Sequence, residues 1–241
     1  MSFKPVGNGL FVLSYADRGD AAWDKIKEAK PNFVVTQSAT LDVCIAPGDL
    51  QSAGIKVLSY VATGFEKIVE NARLIQSIKT ETTTALSAGF DGVFFDETMG
   101  RASDYGVSIQ GMKDAYEAIK DVHDLNFTVF NSGVSTVDSF VFDYADIVCV
   151  ENKYFETPRA LDASGNEVAI EDWRWLSVQG DPATSASSSL AESIGRLELF
   201  RKHGGFWYYS TPRQDSGATH YLLTPQFEDF ANYVKAGPNV T

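Results

Sequence analysis

The chain has 241 residues, 44% of them hydrophobic and 22% charged, which is enough apolar material for a sizeable core and unlike a disordered segment. Its net charge of −12 sets up an average field that repels phosphate backbones and anionic lipid surfaces, so nucleic acid is not an expected partner. No run approaches the roughly 18 apolar residues of a membrane span. Met1 to Leu10 lacks the charged-then-apolar order of a secretion signal, which leaves the compartment open: secreted if a leader has been removed, cytoplasmic otherwise.

Along the chain, short apolar runs alternate with longer stretches of helical period. Buried parallel strands read as nearly continuous hydrophobic runs. Eight such runs occur: Leu10–Tyr15, Asn32–Gln37, Ile55–Tyr60, Gly92–Asp96, Phe127–Asn131, Ile147–Glu151, Trp175–Gln179 and Phe206–Ser210. Between them, apolar residues recur at three and four over Ala21–Lys30, Lys67–Ala88, Gly111–Asp124 and Leu190–His203. Asp20 is placed to cap the first helix, Lys30-Pro31 to end it, Gly89 to end the next long one and Gly204-Gly205 to end the last. Pro47–Ala53 allows only about two turns, and Pro225–Lys235 starts with Thr224 as cap and Pro225 at its first position. The stretch from Asn152 to Asp172, with a turn cluster at Asp162–Asn166, shows no helical period. Eight strand–helix units in a chain of this length predict an α/β fold of the (β/α)8 TIM-barrel type in a single domain spanning residues 1–241. A dinucleotide-binding sheet is disfavoured, because no Gly-rich fingerprint follows the first strand.

Cys44 and Cys149 lack the spacing of a metal or redox motif and read as buried small hydrophobes. His123, His203 and His220 stand alone, so neither a metal site nor a cofactor is expected. In a parallel barrel the chemistry lies at the carboxyl ends of the strands. The residues delivered there are Tyr15, Gln37, Tyr60, Asp96 with Glu97, Asn131, Glu151, Gln179 and Tyr209. Charged residues on strand ends carry more information than polar loops, because a charge beside the core needs a partner, a metal or a task. Strand alternation sends Asp96 and Glu97 to opposite sides, one toward the mouth and one toward the loops. Glu151, two strands on, stands across from Asp96 in a position to form an acid pair flanking a glycosidic bond. Tyr15, Tyr60, Tyr154, Trp207 and Tyr209 are rings on which a sugar can stack, with Gln37, Asn131 and Gln179 as hydroxyl partners. Other readings of the same residues are that Asp96 caps a helix, that Asp96, Glu97 and Glu151 hold magnesium, and that Glu151 pairs with Lys153 or Arg159.

Six segments resemble the spherulin-4-like glycoside hydrolases, whose fungal and bacterial members cleave galactosamine-containing exopolysaccharides. They are Phe-Val-Leu-Ser-Tyr at 11–15, Gly-Ile-Lys-Val-Leu-Ser-Tyr-Val at 54–61, Gly-Phe-Asp-Gly-Val-Phe-Phe-Asp-Glu at 89–97, Phe-Thr-Val-Phe-Asn-Ser-Gly at 127–133, Tyr-Ala-Asp-Ile-Val-Cys-Val-Glu-Asn at 144–152 and Trp-Tyr-Tyr at 207–209. The resemblance implies a barrel with an acidic pair after the fourth strand, Asp96 and Glu97, and a glutamate after the sixth, Glu151. The expectation is a glycoside hydrolase acting on an oligo- or polysaccharide, a monomer without cofactor. A non-catalytic sugar-binding barrel and a magnesium-dependent lyase or aldolase are the alternatives.

Overall fold

The structure, a computed structural model, describes residues 10–64, 72–123, 127–132, 134, 136–150, 159–169, 176–179, 206–210, 229 and 231–233; for 72–74, 121–123, 150, 176–179 and 206–210 it describes the backbone. In chain order the elements begin with β1 (Leu10–Leu13), α1 (Ala22–Ala29), β2 (Phe33–Thr36), α2 (Pro47–Gln51), β3 (Lys56–Ala62), α3 (Ala72–Ser87) and β4 (Gly92–Asp96). They continue with α4 (Ile109–His123), β5 (Phe127–Asn131), β6 (Thr136–Asp138), β7 (Ile147–Val150), β8 (Arg159–Leu161), β9 (Glu167–Val168), β10 (Leu176–Gln179) and β11 (Phe206–Ser210).

Eight strands close into a barrel in the order β1-β11-β10-β7-β5-β4-β3-β2, every neighbouring pair parallel. All eight runs expected from the sequence are strands of this barrel. Alternation along each strand divides the apolar residues into two populations. Phe11, Leu13, Phe33, Val35, Leu58, Phe94, Phe127, Val129, Ile147 and Cys149 fill the inside. Phe11 and Phe33 stack at 4.4 Å between centroids, and Phe127 meets Phe33 edge-on at 5.3 Å. The residues in between face the helices. Leu10, Val12, Val34 and Val57 pack against Trp23 and Ile26 of α1 and Leu50 of α2, whereas Val93, Phe95, Phe130 and Val148 pack against Ile78 of α3 and Met112, Tyr116 and Ile119 of α4. Burying side chains of the size of Trp23 and Ile26 contributes roughly 1.5–3 kcal/mol each. Cys44 and Cys149 are both buried free thiols, as their spacing implied.

The helix ends follow the expected chemistry. Asp20 accepts the Ala22 N–H at 2.8 Å, and Lys30 closes α1 in the left-handed conformation at φ +46° just before Pro31. Gly89, at φ +91°, turns the chain out of α3. Gly92 is required for another reason: a Cβ there would lie 1.9 Å from the Phe127 carbonyl oxygen, so β4 and β5 come this close only with glycine.

The amino end of the barrel is tied by a repeated device. Asn32, Asp91 and Asp146 each stand immediately before a strand, and each side chain accepts a backbone N–H from the strand alongside: Leu10 at 3.0 Å, Val57 at 2.9 Å and Thr128 at 3.0 Å. In each pair the backbone N–H of the Asx residue returns a bond to the same partner's carbonyl. Asp91 also takes Lys56 Nζ at 2.7 Å and Gln51 Nε2 at 2.9 Å.

One feature differs from the sequence expectation. The stretch after β7 that has no helical period holds strands instead: β8 pairs in parallel with β6 and antiparallel with β9, forming a small separate sheet. Its turn is the Asp162–Asn166 cluster, where Asp162 Oδ1 accepts the N–H of Ser164 and of Asn166, each at 2.8 Å. These bonds, led by those from Asn166, hold the Asp162 carboxyl below its ordinary range. The expected helix Lys67–Ala88 is present as α3 over Ala72–Ser87, and residues 67–71 lie outside the described residues. The expected helix Leu190–His203 lies outside the described residues. Of Pro225–Lys235, residues 229 and 231–233 are helical, and Ala231 is buried in the same apolar cluster as Trp23 and Ile26.

Candidate active site

On β1 to β5 the inward row of side chains ends at the carboxyl mouth in a polar group, because the period of two continues one step past the apolar filling. Tyr15 follows Phe11 and Leu13, Gln37 follows Phe33 and Val35, Tyr60 follows Leu58, Asp96 follows Phe94, and Asn131 follows Phe127 and Val129. Asp96 is the centre of this ring. Tyr60 donates its hydroxyl to Asp96 Oδ2 at 2.6 Å, and Asn131 Nδ2 donates to Asp96 Oδ1 at 2.8 Å. Each carboxylate oxygen therefore accepts from a different neighbouring strand, β3 on one side and β5 on the other. Asn131 is buried, so its amide is a fixed donor rather than a solvated one.

The Tyr60 ring lies nearly parallel to Phe94 below it, at 6.1 Å, and meets the Tyr15 ring edge-on at 5.6 Å. Burial pushes the Tyr60 hydroxyl far above the ordinary tyrosine value, and the charge of Asp96, its hydrogen bond, Tyr15 and Glu97 push it further. Tyr60 keeps its proton and remains a donor to Asp96. Gln37 reaches the mouth but directs its amide sideways: Nε2 donates to the Tyr15 carbonyl at 2.5 Å and to Asp17 Oδ1 at 2.9 Å. It braces the loop that carries Tyr15.

β4 ends at Asp96, and Glu97 leaves the extended conformation at φ +57°. For a residue with a Cβ this region costs on the order of 1–3 kcal/mol. The alternation expected to send Asp96 and Glu97 to opposite sides stops at this point, since it holds only for extended backbone. Glu97 is exposed, and its charge acts on the same Tyr60 hydroxyl that Asp96 binds. Its Oε2 lies 3.8 Å from where a Cβ of Gly64 would stand.

Thus Tyr15, Gln37, Tyr60, Asp96, Glu97 and Asn131 share one end of the barrel. Glu151 and Tyr154 lie outside the described residues. Gln179, Trp207 and Tyr209 are placed by their backbone: Gln179 is in register with Tyr208, Trp207 with Leu10 and Tyr209 with Val12. Of the alternative partners considered for the acids, Arg159 stands 3.8 Å from Glu167 on the small sheet, and among the described residues Asp96 accepts from Tyr60 and Asn131 rather than from a helix N-terminus. Among the described residues, no three His, Cys, Asp or Glu side chains converge as metal ligands, and no helix is long and apolar enough to cross a membrane. Sequence reasoning missed Asp17 and Thr63. Thr63 donates both its N–H, at 3.0 Å, and its hydroxyl, at 2.6 Å, to the Asp96 carbonyl. Its only sequence signal is its place just after β3, since the contact depends on the pairing of Ala62 with Asp96.

A family model, the spherulation-specific family 4 (Spherulin4), matches residues 39–234. Among solved structures, the chain is similar to Sph3 from Aspergillus clavatus in complex with GalNAc, with TM-score 0.60 and 16% identity over 96% of this chain and 99% of that one. It is also similar to the glycoside hydrolase domain of PelA from Pseudomonas aeruginosa, with TM-score 0.53 and 15% identity over 84% of this chain and 94% of that one. The endo-beta-N-acetylglucosaminidase from Cordyceps militaris in apo form matches with TM-score 0.55 and 12% identity over 98% of this chain and 92% of that one. At these identities the likeness is one of fold. No curated protein sequence matches the chain.

Proposed function

The chain belongs to the spherulation-specific family 4, and from that premise we propose that it is a glycoside hydrolase cleaving a galactosamine-type, amino-sugar-containing polysaccharide with paired carboxylates at the carboxyl mouth of the barrel. The observation that carries the reading is Asp96, gripped by Tyr60 and Asn131 with Glu97 beside it. Glycoside hydrolysis needs one carboxyl group to protonate the leaving oxygen and one carboxylate to meet the positive charge that develops at the sugar ring. Asp96 accepts hydrogen bonds at both oxygens, which suits the second role. Glu151 is assigned the first: in sequence it stands two residues after Cys149, an inside residue of β7, and the period of two gives it the inward sense. Glu97 adds negative charge beside Asp96 and steadies the same developing cation.

The rings of Tyr15 and Tyr60 form a wall against which a sugar face can stack, with Tyr154 and Gln179 proposed as further contacts; Trp207 and Tyr209, expected from the sequence to join them, stand in register with the helix-facing Leu10 and Val12. The amino-sugar preference is supported by what two structural neighbours are named for, a complex with GalNAc and an endo-beta-N-acetylglucosaminidase. The net charge of −12 adds to it, because it favours a partly deacetylated, cationic polymer.

The test is a screen of amino-sugar and neutral polysaccharides with size analysis of the products. Soluble oligosaccharides released from galactosamine polymers alone support the reading. The Glu151→Gln variant is expected to lose turnover while keeping ligand affinity. Binding without turnover by the unaltered protein would replace the hydrolase with a sugar-binding barrel, and activity abolished by a chelator would replace it with a metal-dependent lyase.

A further inference from the structure

Two described residues other than glycine have a left-handed backbone, Lys30 and Glu97. Lys30 is explained by its place as the last cap of a helix, where this conformation is routine. Glu97 follows a strand and has no such reason, so its conformation must be imposed from outside. The peptide groups on either side of it are both tied to neighbouring strands. Ahead of it, the Asp96 carbonyl accepts the Thr63 N–H and the Thr63 hydroxyl. Behind it, the Thr98 N–H donates to the Asn131 carbonyl at 2.9 Å.

We infer that Thr63 is a positioning residue for Glu97: by holding the Asp96 carbonyl twice, it fixes the peptide ahead of Glu97 and aims that carboxylate over the mouth. The inference rests on the proposed hydrolase reading only for its kinetic consequence. The N–H bond is a continuation of the β3–β4 ladder past the Ala62–Asp96 pair and would be made by any residue but proline. The hydroxyl bond is extra, goes to the same oxygen and occupies its second lone pair. Thr63 is 1% exposed, so its hydroxyl has exchanged water for this carbonyl. With the hydroxyl gone, the Asp96–Glu97 peptide is held at one point and can rock, and the φ of Glu97 is free to relax toward the negative values that a Cβ prefers. The next residue makes room for the result. Gly64, itself at φ +52°, has no side chain where the Glu97 carboxylate passes 3.8 Å from its missing Cβ.

The experiment compares Thr63→Ser with Thr63→Ala, a pair that differs only in the hydroxyl and loses the same methyl, with Thr63→Val as an isosteric control. Crystal structures of the variants and kinetics on the polysaccharide identified by the screen are the two readouts. Thr63→Ser is expected to keep Glu97 left-handed and kcat within about threefold, whereas Thr63→Ala lets Glu97 leave that conformation and lowers kcat by about ten- to a hundredfold with little change in KM. If Glu97 stays at its φ in Thr63→Ala, or if the Ser and Ala variants share one kcat, Thr63 is merely a packed residue. Should the unaltered protein cleave nothing, the hydrolase reading fails, while the crystallographic arm still decides what holds Glu97.

Discussion

Asp96 depends on two neutral donors whose loss has a measurable signature. Replacing Tyr60 by Phe leaves the ring against Phe94 and Tyr15 and removes only the hydroxyl that binds Asp96 Oδ2. The carboxylate then swings on its remaining bond to Asn131, and kcat is expected to fall roughly 10- to 100-fold, with a change of only a few degrees in Tm. The same hydroxyl has a pH signature, because Tyr60 and Tyr116 are both raised above the ordinary 10.0, chiefly by burial. The folded protein holds these protons more tightly than the unfolded chain does. Their contribution is therefore complete below pH 10 and is lost as pH rises beyond it. Urea unfolding at stepped pH should show stability dropping above pH 10, less steeply in Tyr60→Phe than in the unaltered protein. An equal slope in both would mean that Tyr60 is not held protonated by the fold.

At the scale of the strand, one motif serves two ends of the barrel. Asp91-Gly-Val-Phe-Phe-Asp96-Glu97 carries one acid before β4, one at its last inward position and one just past its end, and the sequence presents them as one acidic cluster. The length of β4 separates them. Asp91 binds Val57, Lys56 and Gln51 at the amino end, where conserved chemistry is not expected and stability is decided. Asp91→Ala should therefore lower the unfolding free energy by about 1–3 kcal/mol, read as a lower urea midpoint at unchanged m, and leave kcat as it was. A loss of turnover without loss of stability would place Asp91 in the chemistry instead. Asn32 and Asp146 repeat the device on β1 and β5, which makes strand-edge pairing a property of the barrel rather than of one motif. The backbone of Glu97 belongs to this scale as well: a strand that ran one residue longer would turn its carboxylate toward the helices.

For the whole molecule, the charge surplus and the site predict a salt effect. A chain of net charge −12 draws a cationic polymer toward it through a field that 0.15 M salt screens within roughly 8 Å. On a deacetylated galactosamine polymer, kcat/KM should fall as ionic strength rises, with kcat little altered, while on the fully acetylated polymer it should stay level. A level response on both would remove long-range attraction from the account of substrate choice.

The eight barrel strands and α1 to α4 were legible as apolar runs and helical spacings because burial leaves an unambiguous pattern in a chain. So were Tyr15, Gln37, Tyr60, Asp96 and Asn131 at the ends of β1 to β5, since each is the next inward position after a buried one. The small sheet of β6, β8 and β9 was not, because two- and three-residue strands leave too short a period to detect. The amide of Gln37 and the hydroxyl of Thr63 were equally hidden, their partners lying 20 or more positions away. What the order of residues determined alone was the barrel and the kinds of groups at its mouth, both of which follow from local periodicity. Which of those groups hold Asp96, and the turn of backbone that presents Glu97 beside it, were decided only when closure brought β3, β4 and β5 together, because hydrogen bonds between strands depend on register and no local pattern records it.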